Sequence, residues 1–270
     1  MLPASNLAAA ERICGHPRFD KALRRLSRDL ATLHRFEPQL VYAVGDRGAF
    51  AIVAAGIAFE TERGVTLAAV QDFVVGAKLA SVGRVRGFFS NLARTGAATP
   101  LHDRQDGRRR PWSFGGWLLP TLERWLGAYR DALAEMDGVV DGPTLPLYMR
   151  RSVAAYQRQG APLAAAYSGL SLFLDRQLGH LLLLEAVVRA EDTLTDRDIV
   201  STVSRKRFAR GLRTSRAHIT LLLADAERRG LLQRTQSGSD LWLADTTSRS
   251  ARMWFAHELA WVMDVCGAPT

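Results

Sequence analysis

The sequence predicts a mainly α-helical protein built from two units that run through the same order of elements. Three observations carry this. Along most of the 270 residues, apolar side chains recur at helical rather than alternating spacing. Twice, a glycine ending a helical stretch is followed by a short polar hairpin candidate and then by a long helix. An ordered series of matches also relates the first half to the second, with small drifts of the kind that loop insertions produce. Gly48 to Ile57 overlies Gly179 to Val188, Val85 falls on Ile219, and Phe89 on Leu223. Arg94 and Gly96 then meet Arg228 and Gly230, Trp112 meets Trp242, and Trp125 meets Trp254. Glycine and proline interrupt the pattern at Gly138 to Pro146, which divides the chain into residues 1–140 and 141–270.

The elements follow in order. Phe19, Leu23, Leu26 and Leu30 mark an amphipathic helix, matched more loosely by Leu147, Val153 and Tyr156. Apolar helices follow at about 47–61 and 171–190. Thr66 to Leu79 and Thr195 to Leu212 each open on a threonine N-cap. Ser81 and Ser215 cap the next helices, whose buried faces are Val85, Phe88, Phe89, Leu92 and Ile219, Leu222, Leu223, Ala226. Gly96 and Gly230 end them. The hairpins run from Thr99 to Phe114, with Asp106-Gly107 at the tip, and from Leu231 to Ala244, with Ser237-Gly238. Leu118 to Met136 and Thr247 to Val265 close the units as long helices. This is the order of a winged helix-turn-helix: the fold expected is two of these in tandem, with β-hairpin wings and long terminal helices forming a dimer-like core about a pseudo-two-fold.

Composition narrows the function. The chain carries 36 basic and 27 acidic residues, a net +9. Residues 84–110 hold seven arginines against Asp103 and Asp106, and residues 205–216 hold five arginines and Lys206 with no acid. The excess is concentrated in two places, each at a predicted capped helix. Cys14 and Cys266 stand far apart in no metal or disulfide spacing, and the six histidines show no ligand spacing, so neither a metal nor another cofactor is expected. There is no GxSxG, no phosphate-binding GxxxxGK[ST] and no GxGxxG after a strand, and an enzyme is not expected. The apolar runs are too short to span a bilayer and the N-terminus lacks a secretion signal, which predicts a cytoplasmic, nucleoid-associated protein without a membrane partner.

The helix Ser81 to Arg94, the hairpin His102 to Phe114 and the long helix from Trp117 resemble the MarR family of bacterial transcription regulators. Asp106, Arg108, the strand Pro111 to Phe114 and Gly115-Gly116 stand where that family's wing carries its acidic–arginine tip, strand and helix-initiating glycine. The second copy matches in Ser215 to Gly230 but lacks the arginine tip. The resemblance implies a dimer written as one chain, acting as a monomer. It also implies room for a small aromatic effector between the winged domain and the dimer helices.

An α-helix in the major groove presents its N-terminal residues to base edges. With the apolar face inward, Ser81, Gly83, Arg84, Arg86 and Gly87 face outward in the first copy; Arg213, Ser215, Arg216, His218 and Thr220 do so in the second. Arg104, Arg108, Arg109 and Arg110 on the wing suit a minor groove or its flanking phosphates, and Lys206 and Arg207 suit the backbone. The paired tryptophans are expected in core packing, and His180 as a core histidine. The leading expectation is a regulator of double-stranded DNA on an asymmetric operator. Two others stay open: a plasmid-type replication initiator with tandem winged helices, and a winged module that binds a protein partner instead of DNA.

Overall fold

A computed structural model describes residues 4–101, 111–136, 142–159, 167–192, 215–234 and 241–267. The first half contains α1 (Ala4–Cys14), α2 (Phe19–Phe36), a 3₁₀ turn (Pro38–Leu40) leading into α3 (Val41–Val44), α4 (Arg47–Phe59), α5 (Leu67–Gly76) and α6 (Val82–Arg94). Strands β1 (Ala98–Pro100) and β2 (Trp112–Phe114) and helix α7 (Leu118–Ala134) complete it. The second half contains α8 (Leu145–Gln159), a 3₁₀ turn (Ser168–Leu170) into α9 (Ser171–Leu174), α10 (Gly179–Asp192), α11 (Arg216–Arg228), β3 (Leu232–Arg234), β4 (Leu241–Leu243) and α12 (Asp245–Gly267). The protein is mainly α-helical.

The starts and stops of α6 and α11 have local causes. Ser81 and Ser215 sit in extended backbone and accept the N–H groups of Arg84 and His218 at 3.2 and 3.0 Å. Each hydroxyl thereby satisfies one of the donors a helix start leaves open. At the other end Gly96 (φ 72°) and Gly230 (φ 70°) take the left-handed conformation that glycine adopts without strain. Gly96 N–H donates to Ala93 and Ala97 N–H to Leu92; Gly230 N–H donates to Glu227 and Leu231 N–H to Ala226. Both ends are therefore Schellman motifs. From each, the chain enters an antiparallel hairpin, with Ala98 opposite Phe114 and Leu232 opposite Leu243. The hairpin exits are tied alike: Gly115 N–H donates to Ala97 O at 3.1 Å, and Ala244 N–H to Leu231 O at 3.0 Å.

Two elements differ from expectation. Helix α1 carried no strong periodicity and was not anticipated; it packs along α12. The apolar stretch 171–190 is not one helix but α9 and α10, broken at Asp175 to Leu178. Leu178 adopts a left-handed φ of 64°, and its N–H donates to Gly45 O at 2.8 Å, so a contact with the other half overrides the helical pattern. Phe88, expected inside, is only partly buried, while Val85, Phe89 and Leu92 are buried, as are Ile219, Leu222, Leu223 and Ala226. Thr66 caps α5 through Ala69 N–H. The stretch Thr195 to Leu212 and both expected hairpin tips lie outside the described residues.

One hydrophobic core runs from Ala10 to Cys266. Helix α2 packs on α7 and α10, α4 on α8, and α12 on α1, α7, α8 and α10. Polar ties follow the same seams: Arg25 pairs with Asp131 and Glu135, Ser27 Oγ donates to Glu185, and Arg252 pairs with Asp20 and lies over the Phe19 ring. Among the described residues, no single helix is long and apolar enough to cross a membrane.

His34 on α2 is 4% exposed, and burial, with nearby His180 adding, pulls its pKa down to about 4. In the unfolded chain it titrates near 6.5. The unfolded state therefore binds the extra proton first, and stability is lost as pH falls from about 6.5 towards about 4. Chemical unfolding across that window should show a loss of up to about 3 kcal/mol, and His34→Leu should flatten it. An unchanged slope in the variant would contradict this assignment.

Candidate functional site

The exposed N-terminal faces of α6 and α11 hold the described candidates for nucleic-acid contact. On α6, Ser81, Gly83, Arg84, Arg86 and Gly87 are all exposed. Arg84 is not wholly available: its guanidinium pairs with Asp46, whose carboxylate also caps α4 by accepting Ala49 N–H at 3.0 Å. A methyl group added at Gly83 or Gly87 would meet nothing within 4 Å. Glycine inside a helix costs about 1 kcal/mol relative to alanine. At Gly87 no internal packing offsets that cost, so the open backbone there serves nothing inside the fold.

On α11, Ser215 and Arg216 are exposed and Thr220 is half-buried. His218 is half-buried and donates from Nε2 to the backbone carbonyl of Gln177 at 2.7 Å. Arg84 and His218 thus occupy matching positions on the two helices, and each is held by the segment that leads into the preceding apolar helix. On the outer face of α11, Leu221 is 69% exposed. Arg104, Arg108, Arg109, Arg110, Lys206, Arg207 and Arg213 lie outside the described residues.

A second feature lies where the resemblance implies room for a small ligand. A cavity of about 230 Å³ opens where the helices of both halves converge. From the first half it is lined by Phe50, Ala51 and Ala54 of α4, Phe73 of α5, and Trp125 and Tyr129 of α7. From the second half come Tyr148, Ser152 and Tyr156 of α8, His180 of α10, and Trp254, Glu258 and Trp261 of α12. The rings contact one another: Phe50 lies 5.1 Å from Trp125, Trp125 lies 4.8 Å from Tyr129, and Phe73 lies 5.7 Å from Tyr156. Trp125 and Trp254, expected in packing rather than in a ligand cage, are buried in the core and also line this space, as does His180.

The polar groups of the cavity are mostly paired with each other. His180 Nε2 lies 2.9 and 3.0 Å from the two oxygens of Glu258, and Tyr129 OH donates to the same carboxylate at 3.4 Å. Trp261 Nε1 donates to Ser152 Oγ at 3.3 Å. Arg47 pairs outward with Asp175. Burial raises the pKa of Tyr129 well above its ordinary value, with the charge of Glu258 adding; burial also raises Tyr148 and Tyr156. All three are neutral hydroxyls at physiological pH. Tyr156 OH and Trp254 Nε1 are buried and have no hydrogen-bond partner among the described residues. A signal for this site exists in the sequence: Tyr148, Ser152 and Tyr156 recur every four residues, as do Trp125 with Tyr129 and Trp254 with Glu258. Each set lies on one helix face.

Among the described residues no group of three or more His, Cys, Asp or Glu side chains is gathered as a metal site. No family model, no curated protein and no solved structure matches the chain.

If Gly87 is open to solvent because an outside partner approaches there, Gly87→Ala stabilises the free protein by about 0.5–1 kcal/mol in denaturant unfolding. A loss of stability would mean that the fold itself requires the glycine.

Proposed function

We propose that the chain is a sequence-specific double-stranded DNA-binding transcription regulator, in which two winged helix-turn-helix units of one chain act as a pseudo-dimer. Helices α6 and α11 are the recognition helices, and residues 1–140 and 141–270 are the units. The observation that carries this reading is the recurrence, twice in one chain, of a serine-capped helix, a Schellman glycine and a hairpin tied by the same backbone bonds. Both helices carry an exposed arginine near the N-terminus, Arg86 on one and Arg216 on the other.

The packing supports the pseudo-dimer. In chain order α8 corresponds to α2 and α10 to α4. Helix α4 packs on α8 while α10 packs on α2, so each contact is the counterpart of the other, and α7 meets its own counterpart α12. A self-complementary interface about a two-fold has this form. The long closing helices α7 and α12 favour the regulator over a replication initiator, and the resemblance to MarR regulators points the same way.

In this mechanism, arginines of both halves replace condensed counterions on phosphates and supply affinity, while helix-start residues select bases. Arg84 is poised rather than free, and exchanging Asp46 for a guanine edge or phosphate is part of binding. Because the halves differ in sequence, the operator is asymmetric. Fluorescence anisotropy with the native upstream duplex and a scrambled duplex, across a salt series, tests this. The native duplex should bind more tightly, and the log–log slope should be about −0.9 per neutralised phosphate. Arg86→Ala should relax specificity, and replacing Arg108, Arg109 and Arg110 together should mainly flatten the slope. Gly87→Ala should weaken binding despite stabilising the fold. Equal binding to both duplexes would point to an initiator or architectural role, and no binding at low salt would overturn the DNA reading.

A further inference from the structure

We propose that α11 reads thymine: its outward ridge, centred on Leu221, packs on thymine C5 methyl groups in the major groove of one half-site, and the matching stripe of α6 does not. This rests on the DNA reading above and names the base that the second half selects. The buried positions of α11 are Ile219, Leu222, Leu223 and Ala226. Opposite them, at helical spacing, stand Ala217, Leu221, Ala224 and Arg228, and all four are exposed. Leu221 is the largest apolar side chain on that stripe and is 69% exposed.

A single exposed leucine is ordinary on a protein surface. An outward stripe that stays apolar from Ala217 through Leu221 to Ala224 is not, because the solvated face of a helix carries polar and charged groups. In α6 the matching positions are Gly83, Gly87, Ser90 and Arg94, which are exposed as well. A methyl group added at Gly83 or Gly87 would meet nothing within 4 Å. The fold therefore leaves both stripes open. The first begins as bare backbone, with Arg84 and Arg86 at its edges; the second is an apolar ridge.

The charges at the two ends of the ridge fit a nucleic acid. Arg216 is exposed just before it, and residues 205–216 hold five arginines and Lys206 with no acid. Arg228 and Arg229 are exposed past its far end, and both pair with Asp225 on the flank. An apolar centre between cations matches the major groove, where phosphates on both rims flank the base edges. Thymine is the base that presents a methyl group there, and small apolar side chains such as alanine meet it. Leu221 has no donor or acceptor to offer the polar edges of guanine, adenine or cytosine.

The test uses the full chain and an operator that it selects from a pool of random duplexes. Each thymine is replaced in turn by deoxyuridine, which removes only the methyl group. Affinity is read by fluorescence anisotropy for the unmodified chain and for Leu221→Ala. Leu221 is exposed and alanine is the best helix former, so this variant folds and tests contact alone. Burying one methyl group is worth about fourfold in affinity. In one protected patch, at least one replacement should weaken the unmodified chain about fourfold and change Leu221→Ala less than twofold. No replacement in the other patch should depend on Leu221. An operator that binds tightly but has no thymine whose methyl matters overturns this inference and leaves the DNA reading standing. A methyl effect that survives undiminished in Leu221→Ala does the same. Self-association of the chain that Leu221→Ala abolishes would assign the ridge to a second copy, and also overturns it. A chain that selects no duplex at all overturns the DNA reading and this inference together.

Discussion

Neither half of this chain can bury its apolar helices alone. Nearly every residue of α4 from Gly48 to Ala58 is buried, and on α10 so are Leu181 to Leu184, Val187 and Val188. A helix that is apolar on all sides must be covered on all sides. In this molecule α8 covers α4 and α2 covers α10, each supplied by the opposite half. Burying a leucine stabilises by about 1.5–3 kcal/mol, so the reciprocal seam is the main reason that two short α-helical units hold together.

The seam also explains where the polar features lie. The Leu178–Gly45 backbone bond, the Arg47–Asp175 pair and the Tyr129–Glu258 contact all join residues far apart in sequence across the two halves. The cavity sits in the same place, because large rings meeting at a convergence of helices do not tile as closely as leucines and alanines. A chain with two separate units would have no reason to place Trp125 and Trp254 around one space.

Much of the helical architecture was legible in the sequence. The faces of α6 and α11 were readable because amphipathic helices carry their burial pattern locally, and Ser81, Ser215, Gly96 and Gly230 carry their capping chemistry in one residue each. Helix α1 was not readable, since its burial is owed to α12, more than 230 residues away. The break at Asp175 to Leu178 was hidden because its cause is a hydrogen bond to the other half. The engagement of Arg84 by Asp46 and of His218 by Gln177 is tertiary too, so outward-facing helical position alone overstated how free these side chains are. The cavity was half legible: the four-residue spacing of Tyr148, Ser152 and Tyr156 marks a face, but not what that face meets.

The central claim is that one chain presents two DNA-reading helices on a shared core. Hydroxyl-radical footprinting of the selected operator, combined with native mass spectrometry of the complex, tests it most directly. The account predicts one chain per operator and two unequal protected patches about 10 base pairs apart, one helical turn. A single patch bound by one chain, or a symmetric footprint that needs two chains, would contradict it.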